Sequence, residues 1–424
     1  MALGADALSA VGTGLTLPFL MVYLHAVRGL GLGVAGAATA MVALAGLVGN
    51  PVGGAWVDRS GPRRVLAAGW GVAAAGACGL AVASQPWQAF AAAAVSGIGA
   101  ALALPAQDAL LVRLVTEQGR SGVFALRHAT LNLGLALGGL ISAWLVDLAR
   151  PESFVLLYMF DAASFALAVL LLGLVRGNRG PAAPQTGGGA PDANDSAGSG
   201  GYAAVVRDRL FVRLWVLLAV LVAVGFAQFN ASFPVLVTGA GLSAGVAGLA
   251  FTANTVTVTV VQLIVLRLAR GRRRTAAIVA LCGLWALSWA LVLAGGQLHA
   301  SAAAIAFILA AVTFALGETL FAPTLPALIN GIAPEALRGR YNGAAGFAYT
   351  VGFAAGPALA GVLLQHGLTT PLLVGLLVAC GGAALLARSV KRQLPAGADL
   401  IDPPSTAPAS AEPGAVPTSQ EASA

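Results

Sequence analysis

Two acidic side chains lie inside long apolar stretches of this sequence and are its clearest candidates for chemistry. Glu318, the stronger of the two, is followed by Pro323 and Pro326, and Asp161 lies in an earlier apolar stretch. A bare carboxylate is costly to bury, so acidic groups at such depth often bind and release protons. We take both as candidate proton-coupling residues. The alternative is a structural carboxyl bonded to a neighbouring helix or, for Asp161, to Ser164.

Polar and aromatic side chains at similar depth are candidates to line a substrate cavity. They are Asn132, Gln228, Asn230, Asn254, Phe229 and Tyr349. A few amides dispersed among apolar residues suit amphipathic organic molecules better than sugars or phosphorylated solutes. Arg127 and His128 begin the fifth apolar stretch, where interfacial anchoring is favoured over substrate contact.

Other kinds of chemistry are disfavoured. Ser243 lies in a G-x-S-x-G pattern at residues 241–245, but a hydrolase elbow needs a strand before it and a triad partner. There is no P-loop for ATP, and Cys78, Cys282 and Cys380 have no metal-ligand spacing. We therefore expect no enzyme activity, no cofactor and no metal.

The elements that must position these residues are transmembrane helices. Hydrophobic residues make up 58% of the chain, charged residues make up 9%, and the mean hydropathy is +0.87, which is outside the range of soluble domains. Spans of about 20 apolar residues are predicted at 7–24, 33–56, 65–83, 87–111, 122–146, 154–175, 214–237, 245–266, 276–298, 302–328, 343–364 and 371–387. The sequence thus predicts an all-α membrane protein with twelve transmembrane helices.

The basic residues predict the orientation. Nearly all of the 23 lysines and arginines lie in or beside even-numbered connections or the tail, with Arg28 and Arg150 outside this pattern. Basic loops face the cytoplasm, so both termini are expected there. The net charge of +7 then follows from topology, and no nucleic-acid partner is expected.

Composition divides the chain into four parts. Residues 1–176 and 211–390 each hold six predicted spans, residues 177–210 are rich in Gly, Pro, Ala and Ser, and residues 391–424 are similarly small and polar. The sequence predicts two six-helix bundles, a flexible cytoplasmic linker and a disordered cytoplasmic tail.

A short charged turn after the second span carries a recognisable motif. It reads G-x-x-x-D-R-x-G-x-R-R and comprises Gly54, Asp58, Arg59, Gly61, Arg63 and Arg64. This motif resembles the loop between helices 2 and 3 of the major facilitator superfamily of secondary transporters. The resemblance covers about residues 4–390.

The two halves also carry an internal repeat. Gly134 aligns with Gly352 and Gly138 with Gly356, an offset of 218 residues, and Pro357 follows in the second copy alone. Glycines four residues apart let helices pack closely. Two similar six-helix halves around a midplane cavity agree with the family pattern, which implies alternating access by rocking of the halves.

The resemblance also implies roles for the loop. Asp58 would interact with the start of helix 11 near Gly343, and Arg59 and Arg64 would pair with Asp108 as an inner gate. The alternative is a solvated basic loop at the headgroups. Ala93 stands where related drug exporters carry an arginine, and Gly139 lacks their following proline, which weakens the resemblance to antiporters.

From these features we expect a proton-coupled exporter of small amphipathic organic molecules. The expected setting is the cytoplasmic membrane of a bacterium, with the lipid bilayer as surroundings and the monomer as the functional unit. The alternatives are an importer or uniporter of a nutrient or metabolite, and a transporter-like membrane sensor.

Overall fold

The chain folds into a bundle of long antiparallel helices. The structure, a computed structural model, describes residues 2–114, 120–174, 202–395 and 397–401. The spans are α1 (Leu3–Val27), α2 (Leu32–Ser60), α3 (Pro62–Val82), α4 (Pro86–Leu114), α5 (Arg120–Leu145), α6 (Pro151–Leu174), α7 (Arg209–Gly239), α8 (Ala244–Ala269), α9 (Arg274–Gly295), α10 (Ala300–Glu318), α11 (Arg338–Gln365) and α12 (Thr369–Gln393). Eleven are long and apolar enough to cross a membrane, and α5 contains the shorter apolar segment Thr130–Leu145.

Residues near the helix ends explain where some of these helices begin and end. Gly61 separates α2 from α3 with φ of 80°, a conformation that glycine adopts without strain, and Pro62 then occupies the first turn of α3. The Asp208 carboxylate accepts hydrogen bonds from the backbone N–H groups of Leu210 and Phe211 and so caps α7.

Most of the predicted linker lies outside the described residues. The described part begins with a short helix, Tyr202–Arg207, that leads directly into Asp208. The Tyr341 hydroxyl of α11 donates to the Asp208 carboxylate at 2.7 Å. Residues 202–210 are therefore an ordered lead-in to the second half and not a flexible linker.

Each half packs around a pair of helices related by the internal repeat. Gly134 lies against the backbone of Ala7 and the side chain of Ala10 in α1, and Gly352 lies against Val222 in α7. A side chain at either glycine would overlap these neighbours. The repeat thus joins α5 to α1 in the first half and α11 to α7 in the second.

The two halves meet at one end of the bundle. Because successive spans are antiparallel, the termini and the α2–α3 and α8–α9 loops share an end, here called the terminal end. At the opposite end, the Gly33 N–H of α2 donates to the Gln365 side chain of α11 at 2.8 Å. In the same region, Gly248 of α8 packs directly on Ala143 of α5. These contacts join the halves away from the termini.

Three helices lose regular structure near the middle of the bundle. Helix α1 contains a 3₁₀ turn at Leu17–Phe19, and α7 contains a π turn at Val222–Phe226. Helix α10 ends at Glu318, residues 319–324 form turns around Pro323, and a shorter helix follows at Leu325–Ile332. Irregular backbone at membrane depth is typical of residues that line a cavity.

The first part of the tail is ordered, which corrects the expectation of disorder for that part. Residues 397–401 pair with the α8–α9 loop through two backbone bonds between Gly271, Arg272 and Ile401. The Asp399 carboxylate accepts from the backbone N–H and hydroxyl of Thr275 at 2.9 and 3.0 Å. Asp399 therefore caps α9, whose own preceding residue supplies no side-chain cap. Residues 402–424 lie outside the described chain.

Candidate functional site: a central cavity between the halves

A cavity of about 190 Å³ lies between the two halves at the level of the irregular helices. It is lined by residues from α1, α5, α7, α8 and α10: Gly14, Leu17, Pro18, Asn132, Leu135, Phe226, Phe229, Asn230, Phe251, Asn254, Thr255, Val258, Phe314 and Glu318. Four of the six predicted cavity residues are among them, Asn132, Asn230, Asn254 and Phe229, together with the proton-coupling candidate Glu318.

Glu318 is the single carboxylic acid among the described residues of this lining. It is the last residue of α10, and its Oε2 accepts a hydrogen bond from the Asn254 side-chain amide at 3.3 Å. No basic side chain pairs with it among the described residues. The carboxyl end of a helix carries partial negative charge and adds to the cost of a bare carboxylate. A proton or another cation at Glu318 would relieve both costs.

Aromatic rings form the part of the cavity wall that the second half contributes. The ring of Phe314 stacks on Phe229 with centroids 4.4 Å apart and, on its other face, on Trp285 with centroids 4.8 Å apart. Phe226 stands edge-on to Trp285 at 5.3 Å. Gly225 and Gly317 leave space for the indole, since a Cβ at either position would overlap it. This stack could not be predicted from the sequence, because its members are 29 or more residues apart along the chain.

Two predicted cavity residues have other surroundings. Gln228 is buried, donates to the Gly356 carbonyl at 2.9 Å and accepts from the Ser232 hydroxyl, so it joins α7 to α11. Tyr349 stands edge-on to Phe321 at 6.2 Å and does not belong to the described lining. In this conformation neither residue is among those that line the central cavity.

Asp161 lies between α1 and α6, away from the described cavity lining. Its side chain is 6% exposed, and its Oδ2 accepts from the Thr16 hydroxyl at 2.8 Å. Its Oδ1 faces Gly12, where a Cβ would overlap it, and has no hydrogen-bond partner among the described residues. The expected bond with Ser164 takes another form, since that hydroxyl donates to the Asp161 backbone carbonyl.

A cluster near the terminal end joins α1, α4 and α5. Arg127 donates through Nε to Asp6 at 3.0 Å and through its second terminal nitrogen to Gln107 at 2.8 Å, and Gln107 donates to Asp6 at 2.6 Å. These bonds form a closed ring. Arg127 also pairs with the half-exposed Asp108 at 2.6 Å.

The cluster corrects two sequence expectations. Asp108 pairs with Arg127 and not with Arg59 or Arg64, and Arg127 is a cross-brace with an 11% exposed side chain, not an interfacial anchor. Asp6 was missed because it lies one residue before the first predicted span at 7–24, whereas the helix in the structure begins earlier and includes it. The side chain of His128 lies outside the described residues.

The motif loop is open to its surroundings in this conformation. Asp58, Arg59 and Arg64 are exposed, as is Gly343 at the start of α11, and no contact of Asp58 with α11 occurs in the described chain. Arg63 donates to the Gly173 carbonyl at 2.7 Å and so joins α3 to the end of α6. The expected contact of Asp58 is absent because the halves meet at the opposite end.

Ser243 has no hydrolase geometry. It immediately precedes α8, after Gly241 with φ of 76°, and follows a helix where the elbow needs a strand. Within the described ranges, no group of three or more His, Cys, Asp or Glu side chains could hold a metal ion.

Comparison with known proteins agrees with this arrangement. The sequence matches the profile described as "Major Facilitator Superfamily" over residues 3–317 and 229–416. The chain belongs to the major facilitator superfamily. Members of this superfamily are transporters, so the chain is a multi-pass membrane transporter of a small-molecule substrate.

Two relatives and one solved structure of this superfamily indicate the range of similarity. The MFS-type transporter YqjV of Bacillus subtilis (strain 168) is 26% identical over 84% of this chain and 83% of its own length. A Na(+), Li(+), K(+)/H(+) antiporter of Planococcus maritimus is 26% identical over 79% of this chain and 82% of its own. The nucleoside transporter NupG superposes with a TM-score of 0.72 at 14% identity, over 92% of this chain and 97% of NupG.

Proposed function

We propose that this major facilitator exports small amphipathic organic molecules in exchange for protons, with Glu318 as the proton-binding group. The observation that carries the proposal is the position of Glu318: a lone carboxyl at a broken helix end, facing a cavity walled by Phe226, Phe229 and Phe314. Aromatic surface binds the apolar part of a cargo, and the three cavity asparagines orient its polar groups.

Alternating access gives the coupling a structural basis. The halves are joined at the end away from the termini, so the cavity is reached from the terminal end in this conformation. We place both termini in the cytoplasm of a bacterium and take the monomer as the functional unit. Glu318 would then release its proton inward, bind cargo from the same side, and take up an external proton after the halves rock.

The motif loop would act when the halves rock in the other direction and close the terminal end. Asp58 and Gly343 are exposed here, and closure of the terminal end would bring them together. In the same swing Arg59 and Arg64, which are also exposed, would approach the second half, while Gly54 and Gly61 let the loop turn tightly. Asp108 would stay with Arg127, because that pair lies wholly within the first half.

A second candidate function is exchange of an inorganic cation for protons. The relative from Planococcus maritimus is named as such an antiporter, and Glu318 with the nearby amide oxygens is a ligand set that an alkali cation accepts. The aromatic wall favours the organic cargo, since rings contribute apolar area and not oxygen ligands.

Transport into inside-out vesicles under an imposed pH gradient tests the proposal. A panel of fluorescent amphipathic compounds is added to vesicles with wild-type protein, Glu318→Gln or Asp161→Asn. We expect gradient-dependent accumulation with wild type and Asp161→Asn and its loss with Glu318→Gln. Accumulation that survives Glu318→Gln would remove Glu318 from the proposal. Proton exchange driven by Na⁺ or K⁺, without accumulation of any organic compound, would favour the second candidate.

A further inference from the structure

A second cavity, of about 350 Å³, lies at the end of the bundle opposite the termini, between the ends of α1 and α6. It is lined by Val27, Arg28, Pro151, Glu152, Val155, Leu156 and Met159. None of these residues belongs to the central cavity or to the motif loop. The proposed transport function gives this cavity no role.

Arg28 is held in place on the inner wall of this cavity. Its Nε donates to the Tyr23 hydroxyl at 2.7 Å, its second terminal nitrogen donates to the Ala81 carbonyl, and its guanidinium lies 5.2 Å from the centre of the Tyr23 ring. The Tyr23 hydroxyl in turn donates to the Ala81 carbonyl at the end of α3 at 2.9 Å, and the Tyr23 side chain is fully buried. The positive charge is therefore fixed before any ligand arrives, which lowers the entropy lost on binding.

Glu152 supplies the opposite charge on the outer wall. It is exposed in the first turn of α6 and forms no ion pair with Arg28 in the described chain. One fixed cation and one separate anion thus face the same space without neutralising each other. A ligand with an anionic and a cationic group complements this pair, whereas a purely anionic ligand would be repelled by Glu152.

The remaining lining is apolar and continues into the bundle. Leu156 and Met159 are 43% and 46% exposed and lie on one face of α6, one turn apart. They follow Glu152 by four and seven residues, which places them about 6 and 10 Å below it by the rise of a helix. In a bilayer, exposed apolar side chains at that depth would contact acyl chains.

We propose that this cavity binds a phospholipid with a primary-amine headgroup, such as phosphatidylethanolamine. The phosphate would lie on Arg28, the ammonium would donate to Glu152, and one acyl chain would follow Leu156 and Met159. A phosphatidylglycerol headgroup lacks the cation for Glu152, and a choline headgroup lacks N–H donors.

The test is a lipid competition on the purified full-length protein. Wild type, Glu152→Gln and the control Arg150→Gln are incubated in detergent with equal amounts of phosphatidylethanolamine and phosphatidylglycerol, and retained lipid is measured by native mass spectrometry. Arg150 is a matched control because it is an exposed charge of the same loop, paired with Asp147 at 3.0 Å and outside the cavity.

We expect wild type and Arg150→Gln to retain phosphatidylethanolamine preferentially. In Glu152→Gln the preference should fall about two- to fivefold, the factor that a partly exposed ion pair supports. An unchanged preference in Glu152→Gln, or an equal loss in Arg150→Gln, would overturn the proposal. Glu152 is exposed and forms no side-chain hydrogen bond or ion pair with the described residues, so the substitution is not expected to cause misfolding. Arg28→Lys, which keeps the charge but not the planar donor set, should weaken retention of both lipids.

Discussion

Glu318 and Asp161 are both buried carboxyls in apolar helices, yet they occupy different kinds of space. Glu318 faces the cavity between the halves, at the end of a broken helix, and one amide donates to it. Asp161 lies within the first half between α1 and α6, against Gly12, with Thr16 as donor. Their depth in the sequence pattern is similar, but Glu318 lines the cavity between the halves, whereas Asp161 joins two helices of the first half.

The difference shows that burial alone does not identify a coupling group. A carboxyl that couples transport must be reached from alternate sides, and the space between moving halves provides that access. A carboxyl within one rigid half keeps the same neighbours throughout. Four substitutions are ordered below by the size of their expected effect. Those at Glu318 and Gly12 test this distinction, and those at Asp6 and Asp399 test carboxyls with a structural role.

The largest effect is expected for proton release on cargo binding. Purified wild type in weakly buffered detergent should release about one proton per bound molecule, because cargo displaces the proton of Glu318, and Glu318→Gln should release none. Asp161→Asn should behave as wild type. A pH indicator dye records the release. Loss of release in Asp161→Asn with normal cargo binding would reverse the roles given to the two carboxyls.

A third carboxyl, Asp6, should affect stability more than coupling. Asp6→Asn leaves Arg127 without its buried counterion and opens the ring with Gln107, so we expect a loss of about 2 kcal/mol in the free energy of unfolding. Thermal unfolding in detergent measures it. Asp108→Asn is the control, with a smaller loss because its side chain is 52% exposed. Equal losses in the two variants would contradict the assignment of Asp6 as the main partner.

The close packing of Gly12 against Asp161 predicts a smaller loss of stability, and its cause is steric. A methyl group at Gly12 would overlap Asp161 and Ser164, so Gly12→Ala should lower stability by about 1 to 2 kcal/mol. Gly4→Ala, which adds a methyl group to the same helix with no neighbour within 4 Å, is the control. Melting temperatures compare the two. If Gly12→Ala instead abolished gradient-driven transport in a stable protein, Asp161 would need a functional role.

The smallest effect is expected at Asp399, whose carboxylate caps α9 from the tail. Asp399→Ala should destabilise the second half by about 1 kcal/mol, the usual contribution of a helix cap. Hydrogen exchange of residues 271–276 reports it, since their backbone bonds to the tail would open more often. Transport should change little. An unchanged exchange rate in this segment would show that the pairing of the tail with the α8–α9 loop does not depend on the Asp399 carboxylate.

Much of the fold could be predicted from the sequence, and less of the site. Twelve helical spans and the superfamily followed from apolar runs and the motif loop, but the tenth span was predicted as continuous over 302–328 and is broken after Glu318. The sequence could not predict whether the side chains of Gln228 and Tyr349 point toward the cavity, because a span that is apolar on all sides carries no amphipathic signal. The pairing of Asp108 was wrong for a related reason: a charge at a helix end has several partners within reach, and packing selects one.

The sequence by itself determined that this chain is a helical membrane protein, because spans of about 20 apolar residues admit no other backbone solution than helices in lipid. The resemblance of its motif loop to that of the major facilitator superfamily then indicated a transporter. The sequence also predicted that Glu318 and Asp161 are buried, although Asp6 was missed. Only the tertiary structure decided which of them faces the cavity, which one braces Arg127 and which one lies against Gly12. Those outcomes depend on contacts between helices that are 60 to 145 residues apart along the chain, and no local pattern encodes such a contact.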